Sequence, residues 1–314
     1  MKAGKRFPGG VWPVMLTPYT EEGQVDDLSL KRLVDWYIGT GVSGLFAVCQ
    51  SSEMFFLSPG ERLSIARQVV EAAGGRVPVI ASGHVSDSLA GQAEEINQMA
   101  QTGVDAVILI SNRLAAQEQD DRVWLHNLHS LLDHINPDIP LGFYECPYPY
   151  KRVLSPEVIR ELLLTGRFSF LKDTCCDLKQ ILAKQALVEG SGLQIYNANA
   201  ATLLPALRAG IAGYSGIMAN FHPELYVWLC LNPHDRRSDA LQELLTTAAL
   251  IERQVYPVNA KYALQQAGII HSIHSRSRDA TGFDETAKSE VRQLMSLSRR
   301  ILEWLCDKGE TRDA

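Results

Sequence analysis

A lysine at the end of an apolar segment is the residue of this sequence best suited to covalent chemistry. Lys172 ends the run 168–172, Phe-Ser-Phe-Leu-Lys, and polar residues follow it. Side chains alternate along a strand, so we expect Phe168, Phe170 and Lys172 on one face and Asp173 on the other. Desolvation above two phenylalanine rings would lower the pKa of the amine, and a neutral amine can add to a ketone. The segment therefore predicts a nucleophilic lysine.

Other polar groups follow neighbouring strand-like segments. Tyr144 ends a segment of its own, Cys-Gln-Ser-Ser-Glu at 49–53 follows another, and Ser215 lies in the last. If the strands are parallel, their carboxyl ends meet at one mouth. The groups expected to converge there are Lys172, Tyr144, Gln50, Ser51, Ser52 and Ser215. Neither a carboxylate pair nor a triad of metal ligands occurs at these positions, so we expect no metal.

Each candidate also has a purely structural interpretation. Lys172 could form an ion pair within the mouth, since structural ion pairs also perturb pKa values. Tyr144 could be a packed ring with a satisfied hydroxyl group. Ser51 and Ser52 could be loop or capping serines. Residue types alone leave these alternatives open.

Eight short apolar segments, separated by longer amphipathic stretches, must position these groups. They span residues 11–16, 44–48, 77–81, 106–110, 140–144, 168–172, 193–196 and 213–217. Eight β-then-α units predict an α/β fold with a parallel sheet, and a closed (β/α)8 TIM barrel is the simplest solution. An open doubly wound sheet is the alternative, but no Gly-rich phosphate turn follows the first segment.

Helix signals lie between the segments and after them. Asp26 or Asp27 can cap the first helix, Ser58-Pro59-Gly60-Glu61 has the form of a capping box, and Ser155-Pro156 opens another helix. After about residue 222 only helical patterns remain, and we expect extra C-terminal helices over 257–268 and 285–305. We predict one domain over 1–314, with the strands in about 10–222, the helices in about 223–306, and a solvated tail at 307–314.

Composition excludes several functional classes. The 314 residues carry a net charge of −6 with no basic block, so nothing indicates nucleic-acid binding. No apolar run approaches the length of a transmembrane helix, so we expect no membrane partner. The six cysteines form no C-x-x-C pair and do not read as a disulfide framework, which favours a cytoplasmic location.

Five motifs in order resemble the dihydrodipicolinate synthase / N-acetylneuraminate lyase family over about residues 10–268. They are Thr-Pro at 17–18, Cys-Gln-Ser-Ser-Glu at 49–53 before Leu-Ser-Pro-Gly-Glu-Arg at 57–62, Tyr-Glu-Cys-Pro at 144–147, Leu-Lys-Asp at 171–173, and Gly-Tyr-Ser-Gly-Ile-Met-Ala-Asn at 213–220. Residues 257–261 look like the C-terminal signature of that family. The set is specific, although no single motif would be.

The resemblance implies a barrel with a C-terminal helical extension, assembled as a homotetramer. It also implies a class I, Schiff-base lyase that acts on pyruvate or another 2-oxo acid without a cofactor. Lys172 matches the imine-forming lysine, and Tyr144 matches the tyrosine that shuttles protons. Gln50 and Ser51 match the two hydroxyl residues that bind the 2-oxo acid carboxylate, and backbone N–H groups of the loop 50–52 would hold that carboxylate.

The sequence departs from the family pattern at several positions. Both glycines of the loop 49–53 are gone, and Gln50 replaces a hydroxyl residue of the proton relay. Ser-Asn-Arg-Leu at 111–114 stands where the family has a tyrosine pair. Pro149 replaces the arginine of the true synthase, for which Tyr148, Tyr150, Lys151 or Arg152 could substitute in space. Glu145 stands where an asparagine is usual.

These departures leave three hypotheses. The main one is a lyase that makes or breaks a carbon–carbon bond between pyruvate and an aldehyde. A dehydratase of 2-keto-3-deoxy sugar acids would use the same lysine and release water instead. A non-catalytic 2-oxo acid binding protein is favoured by the altered loop and the lost tyrosines.

Overall fold

Eight parallel strands form the centre of the protein. The structure, a computed structural model, describes residues 6–307. The strands are β1 (Gly10–Val11), β2 (Leu45–Phe46), β3 (Val79–Ala81), β4 (Ala106–Ile110), β5 (Leu141–Tyr144), β6 (Phe168–Asp173), β7 (Gln194–Asn197) and β8 (Gly213–Tyr214). Each overlaps one of the eight predicted segments, although β1 shares only Val11 with the segment 11–16.

Helices follow the strands in alternation. They are α1 (Asp27–Gly39), α2 (Pro59–Ala73), α3 (Leu89–Ala100), α4 (Asp121–Leu132), α5 (Pro156–Thr165), α6 (Leu178–Val188), α7 (Leu203–Arg208), α8 (Pro223–Leu231), α9 (Ser238–Ala248), α10 (Val258–Gln266) and α11 (Glu285–Cys306). None of them, over residues 6–307, combines the length and the apolar character that crossing a bilayer requires.

The sheet closes into a barrel. Its strand order is β1-β8-β7-β6-β5-β4-β3-β2, and every ladder is parallel. A parallel bridge between Val14 and Phe46 joins the two ends of this order. The Met15 and Phe46 N–H groups donate to the carbonyls of Phe46 and Pro13, each over 3.0 Å. The predicted (β/α)8 fold is therefore confirmed, and the open sheet is excluded.

Local sequence signals set the helix boundaries. The Asp26 carboxylate accepts from the Ser29 N–H and caps α1, and the predicted capping box of Ser58 and Glu61 opens α2. α10 and α11 lie within two residues of the two predicted C-terminal helices. Helix α9 was not specified in advance, and most of the predicted tail, 308–314, lies outside the described residues.

A bulge in β6 corrects the predicted strand phase. Leu141 pairs with Phe168 but Gly142 pairs with Phe170, so Ser169 is an extra residue. The Phe168 ring stacks on Phe143 at 5.0 Å, on the outer side of the barrel that faces α4. The expectation that Phe168 shares a face with Lys172 was therefore wrong, because the bulge reverses the alternation between them.

Aromatic rings fill the barrel interior below the site. The Phe170 ring stacks on Tyr196 at 4.2 Å between centroids and meets the edge of Trp12 at 5.2 Å. Phe46 lies 6.4 Å from Phe170. All four side chains are fully buried. This dry layer forms the floor of the mouth at which β5 and β6 end.

The Trp12 ring leaves room only for a glycine at position 44, directly before β2. A Cβ added at Gly44 would lie 2.3 Å from the indole ring. We expect Gly44→Ala to lower the free energy of unfolding by about 1–3 kcal/mol through overpacking. Urea denaturation measures the change, with Gly60→Ala as the control because nothing lies within 4 Å of its added Cβ. Equal stability of the two variants would contradict this assignment.

Candidate active site

The barrel register places Lys172 beside Tyr144. Their Cα atoms are partners in the β5–β6 ladder. The Lys172 Nζ atom lies 4.1 Å from the centre of the Tyr144 ring and 5.9 Å from that of Phe46. Lys172 is 4% exposed. Burial lowers its pKa to about 8, although the thiols of Cys49 and Cys146 and the carboxylate of Glu252 act in the opposite direction.

The acidic residue next to Lys172 has another partner. Asp173 points away from the mouth and accepts a hydrogen bond from Lys184 Nζ over 2.6 Å. Among the described residues no carboxylate forms an ion pair with Lys172. The structural alternative, an ion pair of Lys172 in the mouth, therefore finds no support in the geometry.

The same cluster accounts for the unusual Glu145. Its carboxylate binds Lys184 Nζ and also accepts from the N–H groups of Leu154 and Thr174, each over 2.9 Å. Burial and the neighbouring Asp173 raise the pKa of Glu145. Glu145 and Asp173 directly follow Tyr144 and Lys172, so the cluster ties the ends of β5 and β6 together.

A cavity of about 980 Å³ opens above Lys172. Four of the predicted site residues line it, namely Gln50, Ser51, Tyr144 and Lys172. The rest of the wall comes from the segments that follow β2, β5, β6, β7 and β8 and from the region 252–282 before and after α10. Amine, phenol, amide and hydroxyl groups thus do converge at one mouth.

Two predicted residues are turned away from this cavity. The Ser52 hydroxyl donates to the backbone carbonyls of Met15, over 2.6 Å, and Ala47. Ser215 is fully buried, and its hydroxyl has no hydrogen-bond partner among the described residues. Neither lines the cavity. The sequence predicted both side chains among the groups that converge at the mouth, because a position at a strand end does not give the direction of the side chain.

The loop after β2 offers fewer free N–H groups than predicted. The N–H of Ser52 donates to the Cys49 carbonyl over 3.1 Å, and that of Glu53 donates to the Gln50 carbonyl over 2.9 Å. Within the described chain the N–H groups of Gln50 and Ser51 donate to no acceptor. Of the predicted stretch 50–52, only these two groups are available for an anion.

A buried ion pair holds this loop in place. Glu53 has φ of +61°, which is uncommon for a residue other than glycine. Its carboxylate accepts from Lys261 Nζ over 2.6 Å and from the Ser275 hydroxyl over 2.8 Å. Sequence reasoning noted Lys261 only as part of a signature and missed its contact with Glu53, 208 residues away.

The hydrogen-bond partner of Tyr144 is the side-chain amide of Gln50 and not a hydroxyl group. The phenol donates to Gln50 Oε1 over 3.1 Å, and the Cys146 thiol donates to the same oxygen over 3.5 Å. Burial raises the pKa of Tyr144 well above 10 and that of Cys146 to about 11. Both groups are therefore protonated donors at neutral pH, and an amide cannot pass their protons on.

The segment after Tyr144 supplies one group to the cavity. Tyr148 lines it, half-exposed, with its ring 4.9 Å from Phe55. The Tyr150 hydroxyl bonds the carbonyls of Asn112 and Ala115 instead, and Arg152 pairs with Asp121 over 2.7 Å. Tyr150 and Arg152 therefore do not replace the missing arginine, and Lys151 does not line the cavity either.

Glu252 and Tyr256 line the cavity but were not predicted from the sequence. Glu252 lies in a 3-10 turn, Ala249–Arg253, and Tyr256 follows it. Neither follows a strand, so the rule that barrel sites lie at strand ends could not find them. Over residues 6–307 no three histidine, cysteine or acidic side chains cluster in a way that could hold a metal.

Comparison with known proteins decides the family. The profile of the Dihydrodipicolinate synthetase family matches residues 7–297. The chain belongs to this family. It is therefore an enzyme of the class I lyase type, as the resemblance implied. A curated relative, the 4-hydroxy-tetrahydrodipicolinate synthase of Pseudoalteromonas atlantica, is 27% identical over 85% of this chain and 90% of its own length.

Solved structures of the family share the fold. The chloride-inhibited dihydrodipicolinate synthase of Acinetobacter baumannii, complexed with pyruvate, has a TM-score of 0.82 at 20% identity and covers 93% of this chain and 99% of its own. CdNal of Clostridium difficile, in complex with mannosamine, has a TM-score of 0.81 at 17% identity and covers 92% and 99%. At these identities the likeness speaks for the fold alone.

Proposed function

We propose that the protein is a Schiff-base lyase that acts on pyruvate or another 2-oxo acid through Lys172. The observation that carries this proposal is a buried lysine that has no ion-pair partner within residues 6–307, whose pKa burial lowers to about 8, at the floor of a cavity. Such an amine is partly neutral near pH 7 and can act as a nucleophile. Membership of the family and the pyruvate bound to the Acinetobacter synthase support the same substrate class.

The chemistry begins with addition of neutral Lys172 to the ketone carbon. A carbinolamine forms and loses water, which leaves a cationic imine. The centre of the Tyr144 ring lies 4.1 Å from the Lys172 nitrogen. The phenol is kept protonated by its raised pKa and can serve as the acid for the departing hydroxyl group. The imine then accepts the electron pair that deprotonation or carbon–carbon cleavage releases.

The substrate carboxylate would bind at the loop after β2. Over residues 6–307 the N–H groups of Gln50 and Ser51 have no acceptor, and the Ser51 side chain lies close to the Tyr256 hydroxyl group. Successive backbone N–H groups in a turn form anion sites of this kind. We retain Gln50 and Ser51 as substrate-binding residues and leave out Ser52 and Ser215, whose hydroxyl groups do not reach the cavity.

The size of the cavity indicates a substrate larger than pyruvate. About 980 Å³ is at the upper end of the usual range for small-molecule sites, which is about 300–1,000 Å³. Phe55, Tyr148 and Gln254 line the cavity together with the residues named above. We infer that a 2-oxo acid extended by several carbons is cleaved to pyruvate and an aldehyde.

The pH dependence of imine trapping tests the proposed function. We expect pyruvate and cyanoborohydride to add one reduced pyruvate moiety at Lys172, located by mass spectrometry of peptides. The rate should rise with pH, reach half its maximum near pH 8 and level off about one pH unit higher, because the neutral form of the amine predominates above its pKa. An ordinary lysine would show no plateau before about pH 10.

Absence of any adduct from pH 6 to 9 would instead favour a plain 2-oxo acid binding protein. With the adduct established, product analysis on a panel of sugar-derived 2-oxo acids identifies the bond that breaks. Release of pyruvate marks carbon–carbon cleavage, and release of water without pyruvate marks dehydration. We also retain the homotetramer implied by the family, which light scattering measures.

A further inference from the structure

The acidic side chains of the cavity differ in the partners that the described residues give them. Three acidic side chains line the cavity, namely Glu53, Glu252 and Asp279. Glu53 is held by Lys261 and Ser275, and Asp279 accepts from the Thr281 N–H over 2.7 Å at an exposed position. Glu252 is partly buried, and over residues 6–307 its carboxylate has neither a hydrogen-bond nor an ion-pair partner.

The other proton-carrying groups near Lys172 are unsuited to act as bases. Tyr144 and Cys146 both donate to Gln50 Oε1, and burial raises the pKa of each group further. At neutral pH neither is deprotonated, and Gln50 cannot relay a proton to solvent. Removal of a proton from a carbon requires a base that is ionised under the same conditions.

The surroundings of Glu252 fit that requirement. Lys172 from β6 is the charged group that acts on it, and Tyr214 of β8, Tyr226 of α8 and Tyr256 lie close enough to interact with it electrostatically. Burial raises the pKa of Glu252 to about 7, against the pull of Lys172. The group is therefore part carboxylate and part acid near neutral pH, which is suited to transfer in both directions.

We propose that Glu252 is the base that removes a proton from the carbon next to the Lys172 imine. This proposal rests on the proposed function. The carboxylate takes the proton, the carbon–hydrogen electron pair forms the carbon–carbon double bond, and the imine π pair moves onto nitrogen. The product is a neutral enamine beside protonated Glu252. Return of a proton from Glu252 to the carbon reverses the step, so no other reactant is consumed.

Exchange of the pyruvate methyl protons in deuterium oxide tests this step without a second substrate. We expect wild-type protein at saturating pyruvate to exchange these protons, followed by proton NMR, with a rate that rises as pH increases through about 7. Glu252→Gln should slow the exchange by about 10²–10⁴-fold, the usual contribution of a general base. It should still form the cyanoborohydride adduct at Lys172, because addition of the amine does not need Glu252.

Two further variants separate chemistry from folding. Glu252→Asp keeps a carboxylate and should recover part of the exchange rate. Glu224→Gln removes another acidic group whose pKa burial raises, on α8 and outside the cavity lining, and should exchange like wild type. Circular dichroism establishes that each variant is folded.

The outcomes are distinguishable. If Glu252→Gln exchanges at the wild-type rate while both proteins form the adduct, the role of Glu252 is refuted and the lyase proposal stands. Adduct formation without exchange in wild-type protein also refutes it. If wild-type protein forms no adduct, the proposed function fails, and the role of Glu252 fails with it.

Discussion

Replacing Lys172 with arginine is expected to abolish the trapped pyruvate adduct and to lower turnover by roughly 10⁴-fold or more. A guanidinium group stays protonated in proteins and cannot form an imine with a ketone. Lys172→Met removes the amine without placing a permanent charge in a site that is 4% exposed. Both variants should lose the adduct, as mass spectrometry after cyanoborohydride treatment would show.

An exposed lysine gives the control for this experiment. Lys179→Arg changes a solvent-facing residue of α6 and should leave the adduct at Lys172 intact. If pyruvate were still trapped on the Lys172 variants, another amine would be the group that forms the imine. Lys261 is the one to examine first, because burial lowers its pKa to about 8 as well. Its ammonium group, however, donates to Glu53 and to the His274 carbonyl, which leaves it poorly placed for attack.

The positions of Lys172 and Tyr144 could be predicted because two periodic rules act together. Residues at the ends of parallel strands meet at one edge, and side chains alternate along each strand. Tyr144 and Lys172 are register partners, as these rules require. The same rules gave a wrong side for Phe168, since one extra residue in β6 reverses the phase and no residue type in the segment signals it.

Contacts between distant residues could not be predicted from the sequence alone. Glu145 is explained by Lys184, 39 residues later, which lies between it and Asp173. Glu252 was missed because the turn that carries it reaches the cavity from the C-terminal helices and not from a strand end. Ser52 shows a third limit, which is that a position in the loop does not give the direction of the side chain. Its hydroxyl group bonds the carbonyls of Met15 and Ala47.

The cluster of Glu145, Asp173 and Lys184 is the other place where a single change should have a large effect. Both carboxylates are fully buried and Lys184 is nearly so. Lys184→Met would leave two negative charges close together without a cation. Removing one partner of a buried ion pair costs about 3–5 kcal/mol, and we expect the free energy of unfolding to fall by at least that amount. Urea denaturation followed by circular dichroism measures it.

An exposed pair serves as the reference for this loss. Arg160→Met removes the partner of Glu157 on the surface of α5 and should change the free energy of unfolding by less than about 1 kcal/mol. A loss for Lys184→Met no larger than that would mean that the buried charges are solvated or neutral without the lysine. The cluster would then not be the link that holds the ends of β5 and β6 together.

A neutral version of the cluster separates charge from packing. In Glu145→Gln/Asp173→Asn/Lys184→Met no buried charge remains, so much of the stability lost in Lys184→Met should return. Glu145 and Asp173 directly follow Tyr144 and Lys172. Their hydrogen bonds with Leu154, Thr174 and Cys175 hold the backbone in place after β5 and after β6. Asp173→Asn keeps the oxygen that accepts from the Cys175 N–H, and Glu145→Gln keeps one of the two oxygens that accept from Leu154 and Thr174. We therefore expect the triple variant to trap pyruvate at Lys172 faster than Lys184→Met does, because the lysine and the phenol depend on the backbone that these acceptors hold.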